Sequence, residues 1–331
     1  MIKNVSRKKN RENKIFLKSL LVCSVVIPVM SLVATRNAQA TENGLTHFPI
    51  DIGTTYAGLT TNPGTWTLDI YSLYYNAPVH AGPDGKNNIP GFDSSTIVVA
   101  PRLLYKFPDT LFTIGSFSSH ATIGLITPFI NLNMNMFGEH GHKLSIGDIA
   151  IETDLSLDSP QNMFFSYIGA DTFLPTGSYD KTRLANTGYN YYTFQPNYAF
   201  TWFPNYNWQI NNTIEATFNS TNHKSAYGGD YHSGAEMEND SSVLYSLKSL
   251  GLPMGWFGVQ GYIQRQFQDD TLNGVSFNGG NKAQGYGIGP QLCFGMFHNR
   301  GGIIVKFTHQ FAVRNEASGN QFWFEFGVPL S

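Results

Sequence analysis

The sequence has few cysteines, little charge and no long apolar segment beyond its N-terminus. Only two of its 331 residues are cysteine, and 13% are charged. Cys23 lies in the segment interpreted below as a cleaved signal, so Cys293 alone remains and no intrachain disulfide can form. No segment after residue 40 reaches the roughly 20 apolar residues of a membrane-spanning helix. These absences exclude a disulfide-stapled secreted domain and a helical membrane protein.

The N-terminus has the layout of a secretory signal peptide over residues 1–40. Basic residues precede an apolar run from Leu20 to Val33, and Ala38-Gln39-Ala40 forms a small-x-small cleavage site. The alternative is a membrane anchor, but the run is shorter than a spanning helix needs and Pro28 interrupts it. We therefore predict export and cleavage of this segment.

Positive charge is scarce once the signal is removed. The signal carries eight Lys/Arg and one acid, so 13 basic and 22 acidic residues remain from Thr41 onward. Affinity for nucleic acid comes mainly from Lys and Arg at phosphates. The acidic balance predicts no nucleic-acid partner, and neither a cofactor nor a metal is predicted.

What the sequence does have is long strands of alternating polarity, clearest in residues 190–219. One face of an extended segment carries the apolar and aromatic side chains Tyr192, Phe194, Pro196, Tyr198, Phe200 and Trp202. After a turn at residues 204–207 the alternation resumes through Asn219. These strands exceed the roughly 5–6 residues usual in soluble sheets and match the roughly 9–11 residues of a tilted membrane strand.

About twelve such strands follow one another, and from the fourth strand on short and long connections alternate. They are predicted over residues 65–75, 96–107, within 121–136, 145–157, 163–174, the hairpin 190–219, 241–248, 254–267, 283–296, 302–313 and 321–330. An even strand number and this loop asymmetry are typical of bacterial outer-membrane barrels.

The predicted fold is all-β: a transmembrane up-and-down antiparallel β-barrel over residues 65–331, preceded by a pre-barrel or lumen segment at residues 41–64. A soluble secreted sandwich also alternates. It would not need strands of this length or an outer face so rich in aromatic side chains.

Several stretches resemble one family. They are Gly53-Thr54-Thr55-Tyr56, Asp171-x-x-Leu174-Pro175-Thr176-Gly177-x-Tyr179-Asp180, Asn186-x-Gly188-x-Asn190, Gly285-Tyr286-Gly287-Ile288-Gly289-Pro290-Gln291 and the closing Asn315-x-x-x-Gly319-x-x-Phe322-Trp323. Together they are similar to the transporter-like outer-membrane proteins grouped as "meta-pathway of phenol degradation". The resemblance runs from about Pro49 to the C-terminus and implies passage of hydrophobic or aromatic molecules, without fixing a substrate. The chain departs from typical barrels because it ends in Ser331 rather than in an aromatic residue.

Carboxylates on the polar strand faces mark the predicted lumen, because they cannot face lipid. The predicted lumen-lining residues are Asp148, Glu152, Asp154, Asp171, Glu215, Trp256, Tyr262, Lys306, Trp323 and Glu325. Two interpretations remain open: a charge network that fills a narrow barrel, or the lining of a polar, selective conduit. The aromatic members either stack on a solute or pack the interior. On the same argument, an arginine at Thr213 is expected to be tolerated better than one at lipid-facing Ile214.

The loop after the fifth predicted strand carries the most specific part of the resemblance. Its family-motif residues are Leu174, Pro175, Thr176, Gly177, Tyr179 and Asp180. Pro and Gly restrict or widen the choice of backbone conformation, so a conformational role is predicted. The loop could fold over or into the barrel.

No catalytic constellation stands out, and the chain is predicted not to be an enzyme. The nearest hydrolase candidate is His140-Gly141-His142 with Ser145, in a segment that also reads as a polar loop. His223, His232, Glu236 and Glu238 could gather a metal on the long loop over residues 220–239. Their spacing lacks the tight pattern of a ligand set, so an exposed acidic loop is the favoured interpretation.

The sequence therefore predicts an outer-membrane barrel of a Gram-negative bacterium that passes or binds small hydrophobic or aromatic compounds. Expected partners are outer-membrane lipid, the barrel-assembly machinery and such a solute. The alternatives are a structural or surface-exposed barrel without a transport role and an outer-membrane hydrolase.

Overall fold

A computed structural model describes residue 47, residues 50–296 and residues 301–330. The predicted signal peptide lies outside this part of the chain. Within it, the longer strands are β1 (Trp66–Ala81), β2 (Asp93–Lys106), β4 (Phe117–Ile126), β5 (Phe129–Met136), β6 (Glu139–Ile146), β7 (Ile149–Ser159), β8 (Phe164–Leu174), β9 (Thr193–Asn205), β10 (Trp208–Asn219), β12 (Glu236–Ser246), β13 (Gly255–Gln266), β16 (Gln284–Met296), β17 (Gly301–Arg314) and β18 (Glu316–Pro329). Short strands lie at β3 (Phe112–Ile114), β11 (Tyr231–His232), β14 (Thr271–Leu272) and β15 (Val275–Ser276).

The long strands form one antiparallel sheet that closes on itself. Each pairs with its sequence neighbour from β7 through β18, β18 pairs with β1, and β1 pairs with β2. The last gap is closed by β2, which pairs with β4 through Arg102↔Ile126 and with β5 through Val98↔Ile130. Because β4 with β5 and β6 with β7 each act as one bent strand, the described chain fills twelve positions around the barrel. The predicted all-β antiparallel barrel of about twelve strands is confirmed.

The two bends face each other at residues 127–128 and 147–148. Pro128 has no N–H for the ladder, and its carbonyl instead accepts from the Gly147 N–H at 2.7 Å. Beyond the bend, β6 pairs with β5 through Asn133↔His142. The polar-loop interpretation of the segment with His140-Gly141-His142 is therefore wrong, because a backbone ladder pairs these polar and glycine residues with β5.

Alternation divides the side chains into an outward and an inward set. Outward positions carry large apolar residues that stay exposed, such as Ile214 at 43% and Val259 at 56%. Aromatic rings contact one another across neighbouring strands near the short turns, as Trp208 and Tyr245 do with ring centroids 4.9 Å apart. An apolar outer band with aromatic side chains near its rim is the surface that lipid requires.

The long connections lie at one end of the barrel, over residues 82–92, 175–192, 220–235 and 267–283. Two of them carry a small sheet of β11, β14 and β15. Beneath it the Asp270 carboxylate accepts hydrogen bonds from Tyr231 Oη at 2.6 Å and from the Gly234 N–H at 2.8 Å. Burial raises the pKa of Asp270 to about 6.

No helix in the described part of the chain is long and apolar enough to span a membrane.

Candidate functional site: the barrel interior

Residues 50–64, here called the inner segment, lie inside the barrel against the polar side chains of its strands. The Asp51 N–H donates to Glu238 Oε1 at 2.9 Å, and the Gly53 N–H donates to Asp240 Oδ2 at 2.7 Å. Farther along, the Gly58 N–H donates to Thr201 Oγ1 at 3.0 Å. The backbone of the inner segment thus finds its hydrogen bonds on the barrel wall rather than in a ladder of its own.

Lys306 anchors the inner segment from β17. Its Nζ donates to the carbonyl oxygens of Asp51 and Ile52 and pairs with Glu325 Oε1 at 2.9 Å. The same Nζ lies 5.2 Å from the ring centroid of Trp323. A buried ammonium is stable only with such compensation, so the anchor and its acid form one unit.

Two of the stretches that carry the family resemblance meet at the inner segment. Thr54 Oγ1 donates to Gln291 Oε1 at 2.8 Å, and the Gln291 amide donates to the Thr54 carbonyl at 3.2 Å. The first and fourth of the similar stretches are therefore in direct contact, although 237 positions separate the two residues.

Asp148 links His47, the first residue that the structure describes, to the family-motif loop. Its Oδ1 accepts from the Gly177 N–H at 2.7 Å, and its Oδ2 accepts from the Tyr189 N–H at 2.9 Å. Oδ2 also lies 2.6 Å from His47 Nε2. The loop is thus held against the interior by one carboxylate.

The loop can approach this closely because two glycines touch. A Cβ placed on Gly177 would lie 2.6 Å from the Gly188 Cα. A Cβ placed on Gly188 would lie 2.6 Å from the Gly177 Cα. No larger residue fits at either position without a shift of the backbone.

The other motif residues bind within the loop or to the barrel rim. Thr176 Oγ1 accepts from the Ile149 N–H at 2.9 Å, Tyr179 Oη donates to the Lys224 carbonyl at 3.1 Å, and the Asp180 carboxylate accepts from the Thr182 N–H at 2.9 Å. Leu174 ends β8 and Pro175 follows it.

Beside the inner segment the interior is largely apolar. Strand pairing places Ile130, Val98, Leu73 and Trp323 in one row across four neighbouring strands, and the row continues to Lys306. Here the interior holds a partly open cavity of about 180 Å³. Its apolar lining includes Ile52, Leu73, Val98, Ile130, Phe173 and Trp323.

The predicted lumen residues separate into two groups. Asp148, Asp171 and Trp323 line the cavity. Most of the others have partners elsewhere in the interior. Ion pairs join Glu152 to Arg102 at 2.6 Å and Lys306 to Glu325 at 2.9 Å. The Gln195 amide donates to Glu215 and the Gln310 amide donates to Tyr262 Oη, each at 2.7 Å, and Trp256 contacts Phe203 with ring centroids 5.8 Å apart. Asp154 is buried without an ion pair among the described residues.

The lumen residues predicted from the sequence do not include Arg102 or most of the apolar residues that line the cavity. The available signal was the run Ile97-Val98-Val99-Ala100, which is apolar on both faces of one strand. Consecutive apolar residues indicate a strand that is covered on both sides. In a membrane barrel, such a strand has an apolar surface that faces the interior as well as one that faces lipid.

The residues of the alternative chemistries do not converge. His142 Nε2 lies 2.8 Å from Asn131 Oδ1, and no hydrogen bond joins His142 to Ser145 in the described chain. Glu236 and Glu238 belong to strand β12, whereas exposed His223 pairs with Asp230. Within the described residues no group of three or more His, Cys, Asp or Glu side chains could hold a metal ion.

Comparison with known proteins identifies the family. The model of the family "MetA-pathway of phenol degradation" matches residues 81–326. The chain belongs to this family. No curated protein matches the sequence.

Among solved structures, the chain is similar to the COG4313 outer membrane channel from Pseudomonas putida F1. The TM-score is 0.70 at 12% identity, over 85% of this chain and all of that one. It is also similar to the transport unit of the autotransporter AIDA-I from Escherichia coli, with a TM-score of 0.50 at 9% identity, over 88% of this chain and 95% of that one. At these identities the likeness shows the fold, which is that of an outer-membrane barrel.

Proposed function

We propose that this protein is an outer-membrane channel for small hydrophobic or aromatic compounds. The observation that carries the proposal is the apolar cavity inside the barrel, beside a polar half that the inner segment occupies. The family's name and the channel from P. putida F1 support the same class of function.

The cavity has the size of one aromatic ring. An engineered apolar cavity of about 150 Å³ in another protein stays dry and binds benzene, and the cavity here measures about 180 Å³. Trp323, Phe173 and Tyr75 offer ring faces or edges in its lining, and offset or edge-to-face aromatic pairs add about 0.5–1.5 kcal/mol beyond area burial. A single-ring solute is therefore the class that fits best.

The test fills the cavity without touching the outer face. Val98 points into the cavity, and its neighbour Val99 is 40% exposed on the outside. We expect Val98→Phe to lower uptake of a labelled one-ring aromatic at least fivefold in cells that depend on this channel, and Val99→Phe to leave uptake unchanged. Equal uptake by both variants at equal surface amounts would contradict the proposal.

The alternative of a structural barrel without transport predicts unchanged uptake when the gene is deleted. Single-channel conductance alone does not separate the two, because an interior filled by the inner segment passes few ions in either case. The absence of enzymatic activity stays a prediction, checked by assaying lipid and ester hydrolysis by the purified protein.

We further propose that residues 1–40 are removed on export, that residues 41–64 precede a barrel over residues 65–331, and that the barrel-assembly machinery inserts it. The N-terminal sequence of the protein in isolated outer membranes tests the first of these statements. A mature chain that begins near Thr41 supports it, and retention of residues 1–40 would contradict it.

A further inference from the structure

Acidic side chains greatly outnumber basic ones inside the barrel. In the described chain each interior base already has an acid: Lys106 pairs with Asp158 at 2.5 Å, Lys306 with Glu325 at 2.9 Å, and Arg102 with Glu152 at 2.6 Å. Apart from Asp148, which contacts His47, the remaining buried interior acids form no ion pair among the described residues: Asp51, Asp154, Asp171, Glu215, Glu236, Glu238, Asp240 and Glu316. The interior therefore favours positive charge and opposes negative charge.

Two of these acids line the apolar cavity. Asp171 is 7% exposed and Glu316 is 6% exposed, and neither Asp171 Oδ1 nor Glu316 Oε2 has a hydrogen-bond partner in the described structure. Asp148, the third acid of the lining, differs because both of its oxygens are occupied by the loop and by His47. Lysine and arginine are absent from the described lining. A buried acceptor without a hydrogen bond costs free energy. A ligand that brings a donor to such an acceptor would therefore bind more tightly here.

The aromatic part of the lining also suits a cation. Trp323 already holds the Lys306 ammonium 5.2 Å from its ring centroid on the polar side, and it lines the cavity as well. Ring faces attract ammonium groups, and the attraction is strongest for tryptophan and for desolvated pairs. Carboxyl acceptors and ring faces together are the features that recognise an organic ammonium.

Resting on the proposed function, we infer that the cavity selects single-ring solutes that carry an ammonium group and rejects those that carry a carboxylate. The ring would lie against the apolar lining beside Phe173, which is two residues from Asp171 on the same face of β8, and the ammonium would donate to Asp171 Oδ1. A neutral ring with a hydroxyl would bind more weakly, because it offers the carboxylate one uncharged donor in place of a charged ammonium.

Calorimetric titration of the full mature protein in an uncharged detergent tests this with three probes of one shape: benzylammonium, benzyl alcohol and benzoate. We expect benzylammonium to bind at least tenfold more tightly than benzyl alcohol, and benzoate not to bind measurably. Asp171→Asn should reduce the benzylammonium affinity to about that of benzyl alcohol, while the benzyl alcohol affinity stays unchanged. Glu139→Gln, an exposed acid on β6, is the matched control and should change neither.

If the Asp171 variant does not fold, the comparison of benzylammonium with benzoate in the unchanged protein decides the question. Benzoate binding as tightly as benzylammonium, or an ammonium preference that survives in Asp171→Asn, would overturn the inference. If benzyl alcohol binds but benzylammonium binds no better, only this inference fails. If none of the three probes binds, the proposed function fails with it.

Discussion

At the scale of single residues, the interior depends on a few side chains that each satisfy several buried groups. Lys306 meets two carbonyl oxygens of the inner segment and the carboxylate of Glu325. Asp148 meets two backbone N–H groups and His47. Buried polar groups of this kind cost little when all are paired and much when one partner is removed.

Lys306→Met should therefore destabilise the barrel strongly. The change leaves the Glu325 carboxylate buried without its ammonium, since its side chain is only 8% exposed, and removing one partner of a buried pair costs about 3–5 kcal/mol. The free energy of unfolding in guanidinium, measured in detergent or vesicles, checks this.

The control for that measurement is Lys282→Met. Lys282 pairs with Asp269 at 2.9 Å, but both side chains are more than 40% exposed, and surface pairs contribute little. A midpoint that moves as far for Lys282→Met as for Lys306→Met would show that burial of the anchor does not matter.

Residue positions could be predicted from the sequence better than residue contacts. Period-2 alternation assigns Glu152 and Glu215 to the inward face, because side chains alternate in any strand. It does not reveal that Arg102 reaches Glu152 across two strand boundaries, because that depends on the register around the closed barrel. Alternation also does not reveal that Thr213 Oγ1 donates to the Gly53 carbonyl at 2.9 Å, so an arginine at this position would meet the inner segment.

At the scale of elements, the inner segment and the family-motif loop convert an open barrel into a filled one. Both run without regular secondary structure and take their hydrogen bonds from the wall. Such segments carry no periodicity, so the sequence predicts that they are irregular but not their path. The resemblance motifs gave the better signal, because Gly177 and Gly188 mark a close backbone contact that only glycine permits.

Gly177→Ala should loosen the family-motif loop. The added Cβ would meet backbone atoms of residues 187 and 188 at 2.6–2.8 Å, and overpacking of this kind costs about 1–3 kcal/mol. The loop contains Lys181 and Arg183, so we expect limited trypsin digestion to cleave it about tenfold faster than in the unchanged protein.

Gly285→Ala is the control for the loop, because a Cβ there would meet only side-chain atoms at 3.5 Å or more. Unchanged cleavage in the Gly177 variant, or equal acceleration in both variants, would contradict the close-contact account of the loop.

At the scale of the whole molecule, the fold follows from alternation, strand length and an aromatic outer face. Those features are local, which is why about twelve strands and their antiparallel order could be predicted from the sequence. The division of the interior into a polar half and an apolar half could not, because it arises only when β1, β2 and β5 come together on one side of the closed sheet. This division is the central claim of the functional account.

Co-crystallisation with bromobenzene tests that claim most directly, because the anomalous signal of bromine locates the ring without reference to activity. The account predicts a bromine peak inside the barrel, bounded by Leu73, Val98 and Trp323, and its loss in Val98→Phe. Bromine found only on the lipid-facing surface, with the interior cavity empty, would contradict it.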